Sequence, residues 1–137
     1  LRGRGGSAII DDSYNANPAS VRAALDYLAA ASGRRVLVLG DMAELGEQSE
    51  RLHEEIGLYA RDRCDALLTV GSLGSRAAEA FGSGGAAYES TDSLAKALET
   101  MLGSDVTILV KGSRVMALDR LVELLADEGS DVGESPC

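Results

Sequence analysis

Short apolar runs alternate with helix-like segments along most of this 137-residue chain. The run Val36–Leu39 is continuously apolar, and strands are also predicted over Ala66–Val70 and Val106–Val110, which each contain a single Thr. Such runs are typical of parallel strands that are buried on both faces. Strand–helix units that repeat with short connections favour right-handed crossovers and helices on both faces of one sheet. The sequence therefore predicts an α/β fold with a doubly wound, mostly parallel sheet of about five or six strands.

The other elements are predicted from helix periodicity and from residues that begin or end helices. A first strand is predicted over residues 8–10 and a helix over residues 18–31, with Asn17 as its N-cap and Pro18 in its first turn. His53 falls between Glu50 and Glu54 on the second helix, so we expect it on a solvated surface. The remaining predictions are helices over residues 49–63, 74–81 and 115–126, a helix that Thr91 or Asp92 caps, and a short strand over residues 86–88.

Composition limits the partners that the chain can have. Its net charge is −9, and it lacks the clustered Lys and Arg that nucleic acids and anionic membranes require. No apolar stretch approaches the roughly 20 residues that span a bilayer. The two cysteines, Cys64 and Cys137, form no metal-binding pattern, and unpaired thiols fit a reducing compartment. We therefore expect a cytoplasmic protein with no metal site of its own and no nucleic-acid or membrane partner.

Polar residues cluster in three segments that each follow a predicted strand. Asp11–Pro18 follows the first strand, Gly40–Gly46 follows the second, and Lys111–Arg114 follows the last. The carboxyl ends of parallel strands meet at one edge of a sheet, where ligands bind in open α/β folds. The three segments therefore offer carboxylates, a phenol, amides, a lysine and an arginine to a ligand with hydroxyl, ammonium, phosphate or carboxylate groups.

Several of these side chains also have a purely structural interpretation. Asp11 or Asp12 could cap the turn through backbone hydrogen bonds, and Asn17 suits a helix N-cap. Tyr14 could cover the sheet edge by packing alone. Lys111 is harder to explain in this way, because a cation directly after a buried strand faces the ligand edge. The remaining residues, Asp41, Glu44 and Arg114, could lie on a solvated surface.

Some common catalytic and phosphate-binding patterns are missing from the sequence. It contains no G-x-x-x-x-G-K-[S/T] loop and no G-x-G-x-x-G turn, so we do not expect this chain alone to hold a triphosphate in the usual way. The single histidine, His53, has no Ser or Cys partner at a recognisable spacing, which argues against a hydrolytic triad. The three polar segments thus remain the candidate site.

Taken in order, the strings DDSYNANP, VLVLGDMAELGEQSERLHEEIG and LVKGSR resemble the C-terminal domain of the bacterial Mur ligases. The resemblance covers nearly the whole chain, from about Ser7 to Leu125. It is greatest to the branch of the family that adds D-alanyl-D-alanine to UDP-N-acetylmuramoyl-tripeptide. One departure is that Val115 follows KGSR where the family often has Gly, which changes backbone freedom but removes no charged group.

The resemblance implies a Rossmann-like three-layer domain within a larger enzyme. In the family, one domain holds the UDP-sugar, a central domain carries the ATP-binding P-loop, and the third domain closes over both. We therefore expect residues 1–127 to form the closing domain and residues 128–137 to form a disordered acidic tail. The missing P-loop and initiator Met fit a domain excised from such an enzyme, which we expect to be inactive alone.

The family reaction is ATP-dependent amide formation through an acyl phosphate. The peptide carboxylate is phosphorylated, and the amine of D-Ala-D-Ala then attacks it, so that a tetrahedral intermediate collapses to amide and phosphate. Mg²⁺ and cationic side chains offset charge on the phosphoryl oxygens. The resemblance thus implies ATP and Mg²⁺ held mainly by the central domain, UDP-MurNAc-tripeptide and D-Ala-D-Ala as substrates, and a monomeric enzyme.

The resemblance also implies roles for individual residues, although no residue is assigned a catalytic or metal-binding role. An Asp of the first segment contacts the ribose, and we prefer Asp12 to Asp11 because it lies nearer the turn. Cations of the last segment suit the carboxylate of the incoming dipeptide, and acids of the middle segment suit its ammonium or a neighbouring loop. The nucleotide-binding candidates are Asp11, Asp12, Tyr14, Asn15 and Asn17. The substrate-binding candidates are Lys111, Ser113, Arg114, Asp41 and Glu44.

Three alternatives remain open on the sequence alone. In a receiver-type phosphoacceptor domain, Asp11-Asp12, Asp41 and Lys111 would match the acidic pair, the phosphorylated Asp and the Lys after a late strand. However, Asp41 follows the second strand instead of the third, and Gly follows Lys111 where such domains usually have Pro. A sibling Mur or folylpolyglutamate-type ligase commonly has His where this chain has Tyr14 and Asn15. A non-catalytic interaction domain would not need polar residues on all three segments.

Overall fold

The computed structural model describes residues 6–12, 16–42 and 45–112, and for Asp11 and Asp12 it describes the backbone alone. The described residues form one parallel sheet with helices on both faces, so the predicted α/β fold is confirmed. The strands are β1 (Ala8–Asp12), β2 (Arg34–Gly40), β3 (Ala66–Val70), β4 (Gly85–Tyr88) and β5 (Val106–Lys111). The helices are α1 (Pro18–Ala29), α2 (Ser49–Ala60), α3 (Gly74–Phe81) and α4 (Thr91–Glu99), and a 3-10 turn over Gly46–Gln48 precedes α2.

The strands lie in the order β1-β5-β2-β3-β4. The last described strand in the chain therefore lies between β1 and β2, and the chain moves outward from β2 to β4 before α4 returns it. When right-handed crossovers move the chain in opposite directions across a parallel sheet, their helices lie on opposite faces. This rule accounts for α1, α2 and α3 on one face and α4 on the other.

The core has two halves because successive residues of a strand point to opposite faces. Leu37 and Leu39 of β2 belong to the cluster that includes buried residues of α1, α2 and α3. Val36 and Val38 belong to the cluster that includes buried residues of α4. Both faces of β2 are covered, which explains why this strand is apolar at every position from residue 36 to residue 39.

Two helices begin with reciprocal side-chain caps. At α1, the Ser20 amide donates to Asn17 Oδ1 at 2.9 Å and the Asn17 amide donates to Ser20 Oγ at 3.1 Å, which confirms Asn17 as the N-cap. At α4, the prediction that Thr91 or Asp92 forms the cap is wrong. Ser90 caps this helix, because its extended backbone lets Ser90 Oγ accept the Ser93 amide at 3.1 Å.

Tyr59 joins the outer surfaces of α1 and α2. Its hydroxyl donates to Asp26 Oδ1 at 2.6 Å, and Arg63 Nε donates to the same oxygen at 3.0 Å. The guanidinium carbons of Arg22 and Arg63 lie 4.9 Å and 3.7 Å from the centre of the Tyr59 ring. The hydrogen bonds from Tyr59 and Arg63 hold the pKa of Asp26 below its usual value. This exposed cluster lies between two helices and away from the candidate edge of the sheet.

Some predicted boundaries differ from the structure. Asp11 and Asp12 end β1 and do not begin the turn, because their backbones pair with Val110 and Lys111 of β5. Helix α2 ends at Ala60, three residues before the predicted end. The predicted helix over residues 115–126 and tail over residues 128–137 lie outside the described residues. Within the described part of the chain, no helix combines the length and apolarity needed to cross a membrane.

Candidate functional site

The three strands that precede the polar segments are neighbours in the sheet. Strand β5 pairs with β1 on one side and β2 on the other, so that Lys111 has Asp12 and Leu39 as its register partners. Gly40 ends β2, and Asp41 follows it. The ends of the three strands that precede the polar segments therefore lie side by side at one edge of the sheet. Whether they bind the predicted ligands stays a prediction.

Lys111 is almost entirely buried at this edge. It is the last residue of β5, one residue beyond the predicted strand end at Val110, and its exposed fraction is only 1%. Alternation along β5 places Lys111 on the same face as Leu109, which packs with the cluster of α1, α2 and α3. Lysines are seldom buried to this degree unless they are paired. Substitution of Lys111 would therefore affect the packing of this edge as well as its charge.

Asp41 connects the ends of β2 and β3. Its Oδ1 accepts the amide of Gly74 at 2.6 Å, at the first residue of α3. The carboxylate lies against Gly71, where a Cβ would be 2.3 Å from Asp41 Oδ1 and where φ is +107°. Both observations require glycine at residue 71. Asp41 thus has a structural partner, and its predicted role toward a substrate ammonium stays a prediction.

His53 is buried, so the expectation of a solvated surface is wrong. Its exposed fraction is 0%, and both ring nitrogens have partners. The Met42 amide donates to Nε2 at 2.9 Å, and Nδ1 lies 2.7 Å from the carbonyl oxygen of Ser49. An N–H donor on one side and a carbonyl acceptor on the other require the neutral ring with its proton on Nδ1.

Thr69, like Lys111 and His53, is a buried polar residue near this edge. Its hydroxyl has no hydrogen-bond partner among the residues that the structure describes. A Cβ on Gly74 would lie 3.0 Å from Thr69 Cβ and 3.4 Å from its hydroxyl oxygen. Thr69 therefore packs against the start of α3, beside the hydrogen bond that Gly74 donates to Asp41.

Asn17 is the one nucleotide candidate whose side chain the structure describes. Its Oδ1 is used by the α1 cap, and its role toward a nucleotide stays a prediction. The remaining candidates, Tyr14, Asn15, Glu44, Ser113 and Arg114, lie outside the described residues, as do the side chains of Asp11 and Asp12. Over residues 6–12, 16–42 and 45–112, no three His, Cys, Asp or Glu side chains are grouped so as to hold a metal ion.

Comparison with known proteins identifies the family. The family model described as Mur ligase, glutamate ligase domain matches residues 1–114. The chain belongs to the Mur ligase family. This assignment confirms the resemblance of the three strings and rules out the receiver-type alternative.

Curated relatives point to one branch of the Mur ligases. The UDP-N-acetylmuramoyl-tripeptide–D-alanyl-D-alanine ligase of Escherichia coli K12 is 41% identical over 125 residues, which cover 89% of this chain and 27% of that enzyme. The enzyme of the same name from Bacillus subtilis 168 is 35% identical over 130 residues, covering 89% of this chain and 28% of that enzyme. The chain thus spans little more than a quarter of the curated relatives that it matches.

Solved structures agree with this Mur ligase assignment. The MurF ligase of Thermotoga maritima, crystallised in complex with ADP, has a TM-score of 0.74 at 30% identity, covering 90% of this chain and 30% of that one. A MurF structure from Acinetobacter baumannii has a TM-score of 0.77 at 32% identity, covering 84% of this chain and 26% of that one. The fold described above is therefore that of the matching region of the MurF ligases.

Proposed function

We propose that this Mur ligase domain is part of an enzyme that joins D-alanyl-D-alanine to UDP-N-acetylmuramoyl-tripeptide with ATP, in the synthesis of peptidoglycan precursors. The observation that carries the proposal is 41% identity, over 89% of this chain, to a ligase of that name. Its carboxyl edge supports the proposal, since the polar ends of β1, β5 and β2 lie side by side there.

The proposed reaction requires positioning more than covalent participation by this domain. The peptide carboxylate takes the terminal phosphoryl group of ATP, which leaves ADP and an acyl phosphate. The amine of the dipeptide then forms the C–N bond as the C–O bond to phosphate breaks. Holding the amine close to the acyl carbon and excluding water are the contributions that a closing domain makes to such a reaction.

The candidate residues are assigned to two different substrates, the nucleotide and the dipeptide. Asp12, at the end of β1, is the proposed contact for the nucleotide ribose. Lys111, its register partner on β5, is proposed to favour the carboxylate of the dipeptide with its charge. Mg²⁺, when bound, would neutralise charge on the phosphoryl oxygens, and the rest of the enzyme would supply its main ligands. We further propose a cytoplasmic, monomeric enzyme.

The first test uses the longer natural protein that contains this chain. ADP release would be followed with ATP, Mg²⁺ and UDP-MurNAc-tripeptide, first with D-Ala-D-Ala and then with single amino acids. Release that requires the dipeptide is the expected result. Release with a single amino acid alone would indicate a sibling ligase, and no release with either would reject the proposed activity.

The residue assignments are tested in the same protein. Asp12→Ala should raise the KM for ATP, because it removes a charge-assisted contact. Lys111→Met should raise the KM for D-Ala-D-Ala by about tenfold or more, because it removes a positive charge close to the proposed carboxylate site. Methionine suits residue 111 because it retains most of the buried methylene chain, whereas alanine would leave a cavity. Lys96→Met is the matched control, since Lys96 is exposed on α4. Wild-type constants in both site variants would reject these assignments.

A further inference from the structure

We propose that His53 is a positioning residue of the ligase, because it fixes the short segment over residues 40–42 at the end of β2 through the backbone amide of Met42. This inference rests on the proposed function, since it assigns that segment to the amine-binding side of the reaction. His53 itself does not touch the substrate. It lies in the first half of α2, eleven residues beyond the amide that it holds.

The first step is that His53 bonds two separate parts of the backbone. Nδ1 donates to the carbonyl of Ser49 on its own helix at 2.7 Å, which orients the ring. Nε2 then accepts the amide of Met42 at 2.9 Å. Met42 and His53 are exposed by only 1% and 0%, so water does not replace either bond. An apolar side chain of similar size would fill the space but would leave the Met42 amide without an acceptor.

The second step is that the same segment is held from its other side. Asp41, the neighbour of Met42, accepts the Gly74 amide at 2.6 Å. The segment is thus attached to α2 through residue 42 and to α3 through residue 41. Two attachments at adjacent residues determine both the position and the direction of the backbone as it leaves β2.

The third step is that this segment lies beside the proposed substrate groups. Leu39 of β2 is the register partner of Lys111 on β5. Asp41 comes two residues after Leu39, so it lies close to Lys111 along the sheet edge. A displacement of reacting groups by about 1 Å costs on the order of 100-fold in rate. Loss of the His53–Met42 bond should therefore lower turnover without removing any group that contacts substrate.

Two substitutions separate the Met42 bond from the rest of the side chain. His53→Gln places an amide oxygen near the position of Nε2 and can still accept from Met42. His53→Asn reaches only the position of Nδ1, so it retains a donor for Ser49 but loses the acceptor for Met42. Leu98→Ala is the control for stability, because Leu98 is buried in the cluster on the opposite face of the sheet.

The test has one readout that does not depend on activity. In the longer protein, amide hydrogen exchange of Met42 should be faster in His53→Asn than in wild type by about tenfold or more, and close to wild type in His53→Gln. Nitrogen chemical shifts of the wild-type ring should report a neutral ring protonated at Nδ1. Wild-type exchange at Met42 in His53→Asn would overturn the proposal.

The second readout is kcat/KM for D-Ala-D-Ala in the longer protein, at a temperature where every variant is folded. We expect a fall of about 10-fold to 100-fold in His53→Asn, with recovery in His53→Gln and no change in Leu98→Ala. If kcat/KM fell equally in His53→Asn and Leu98→Ala, the loss would be explained by lower stability alone, and the proposal would be overturned. Absence of dipeptide-dependent ADP release in the wild type would instead reject the proposed function, and the Met42 exchange rates would still report whether His53 fixes the segment.

Discussion

Asn17 lies where the first polar segment meets α1. Its Oδ1 accepts the Ser20 amide, so this oxygen satisfies one of the free N–H groups at the start of the helix. The same end of a helix carries a partial positive charge that favours anions. A structural role and a role near nucleotide phosphates are therefore compatible at this position, and two substitutions can separate them.

Asn17→Ala should lower the free energy of unfolding by about 1 kcal/mol, because the cap acceptor is lost. Asn17→Asp retains an acceptor and should keep the stability within about 0.5 kcal/mol of wild type. In the longer protein, however, the new carboxylate should raise the KM for ATP by repelling phosphate. Urea unfolding and ADP-release kinetics measure the two effects. An unchanged KM in Asn17→Asp would remove Asn17 from the nucleotide site.

Cys64 is a buried thiol whose surroundings disfavour the thiolate. Its exposed fraction is 4%, and burial raises the pKa of the thiol from an ordinary 9.0 to about 12. The folded chain therefore holds this proton to higher pH than the unfolded chain does. The associated stability is fully present below about pH 9 and is lost as pH rises toward 12, at about 1.4 kcal/mol per pH unit.

The thiolate is the reactive form of cysteine, so Cys64 should resist alkylation while the chain is folded. A Cys137→Ser variant leaves Cys64 as its single thiol. At pH 8.5, we expect iodoacetamide to modify this variant at least about 100 times more slowly without urea than in urea. Mass spectrometry measures both rates. Equal rates would show that Cys64 is accessible in the folded chain.

Helices α2 and α3 approach closely enough that one contact requires the absence of a side chain. A Cβ on Gly57 would lie 2.2 Å from the carbonyl oxygen of Ala77 and 3.0 Å from Ala80 Cβ. Gly57 is itself buried in the middle of α2. The spacing of the two helices therefore depends on this glycine. That spacing also sets the distance between His53 on α2, which bonds Met42, and Gly74 on α3, which bonds Asp41.

Gly57→Ala presents two opposed effects on stability. Alanine favours a helix by about 1 kcal/mol over glycine, whereas overpacking costs about 1–3 kcal/mol and is larger against backbone, which cannot rotate away. We expect the clash to be the larger effect and the midpoint of thermal unfolding to fall. Leu58→Ala on the exposed side of the same helix is the control, with a change within about 0.5 kcal/mol. A raised midpoint in Gly57→Ala would show that α2 and α3 can separate freely.

At the scale of the whole enzyme, the proposed function requires this domain to move. Closure of this domain as a rigid α/β body would bring its carboxyl edge onto bound nucleotide and peptide. We therefore predict that ATP, Mg²⁺ and UDP-MurNAc-tripeptide together reduce the radius of gyration of the longer protein in solution scattering. Identical profiles with and without these ligands would contradict closure.

Local sequence patterns were sufficient for most of the secondary structure but not for the sheet order. The continuous apolar run of β2 indicates a buried strand, and Asn17 followed by Pro18 indicates the start of a helix. The insertion of β5 between β1 and β2 depends on contacts between residues about 100 positions apart, such as Ala8 with Thr107, which no local pattern encodes.

The candidate site was predictable only where residue type and position were both informative. The position of Lys111 at the end of a buried strand could be predicted from the sequence, and its role toward a ligand stays a prediction. His53 could not be placed, because its neighbours Glu50 and Glu54 are typical of a solvated helix surface. The buried ring is satisfied by the backbone amide of Met42, which lies in another segment of the chain and donates to Nε2. A polar side chain at a helix position that periodicity makes inward-facing is the signal that could have identified it.

The position of β5 also has a consequence for biosynthesis. The strand over residues 106–111 is made after the other described strands, yet it lies inside the sheet, between β1 and β2. Until it leaves the ribosome, β1 lacks its one partner in the described sheet and β2 lacks a neighbour on one side. A nascent chain that ends before this strand therefore has a gap between β1 and β2, and the edge that gathers the polar segments forms only when translation has nearly completed the domain.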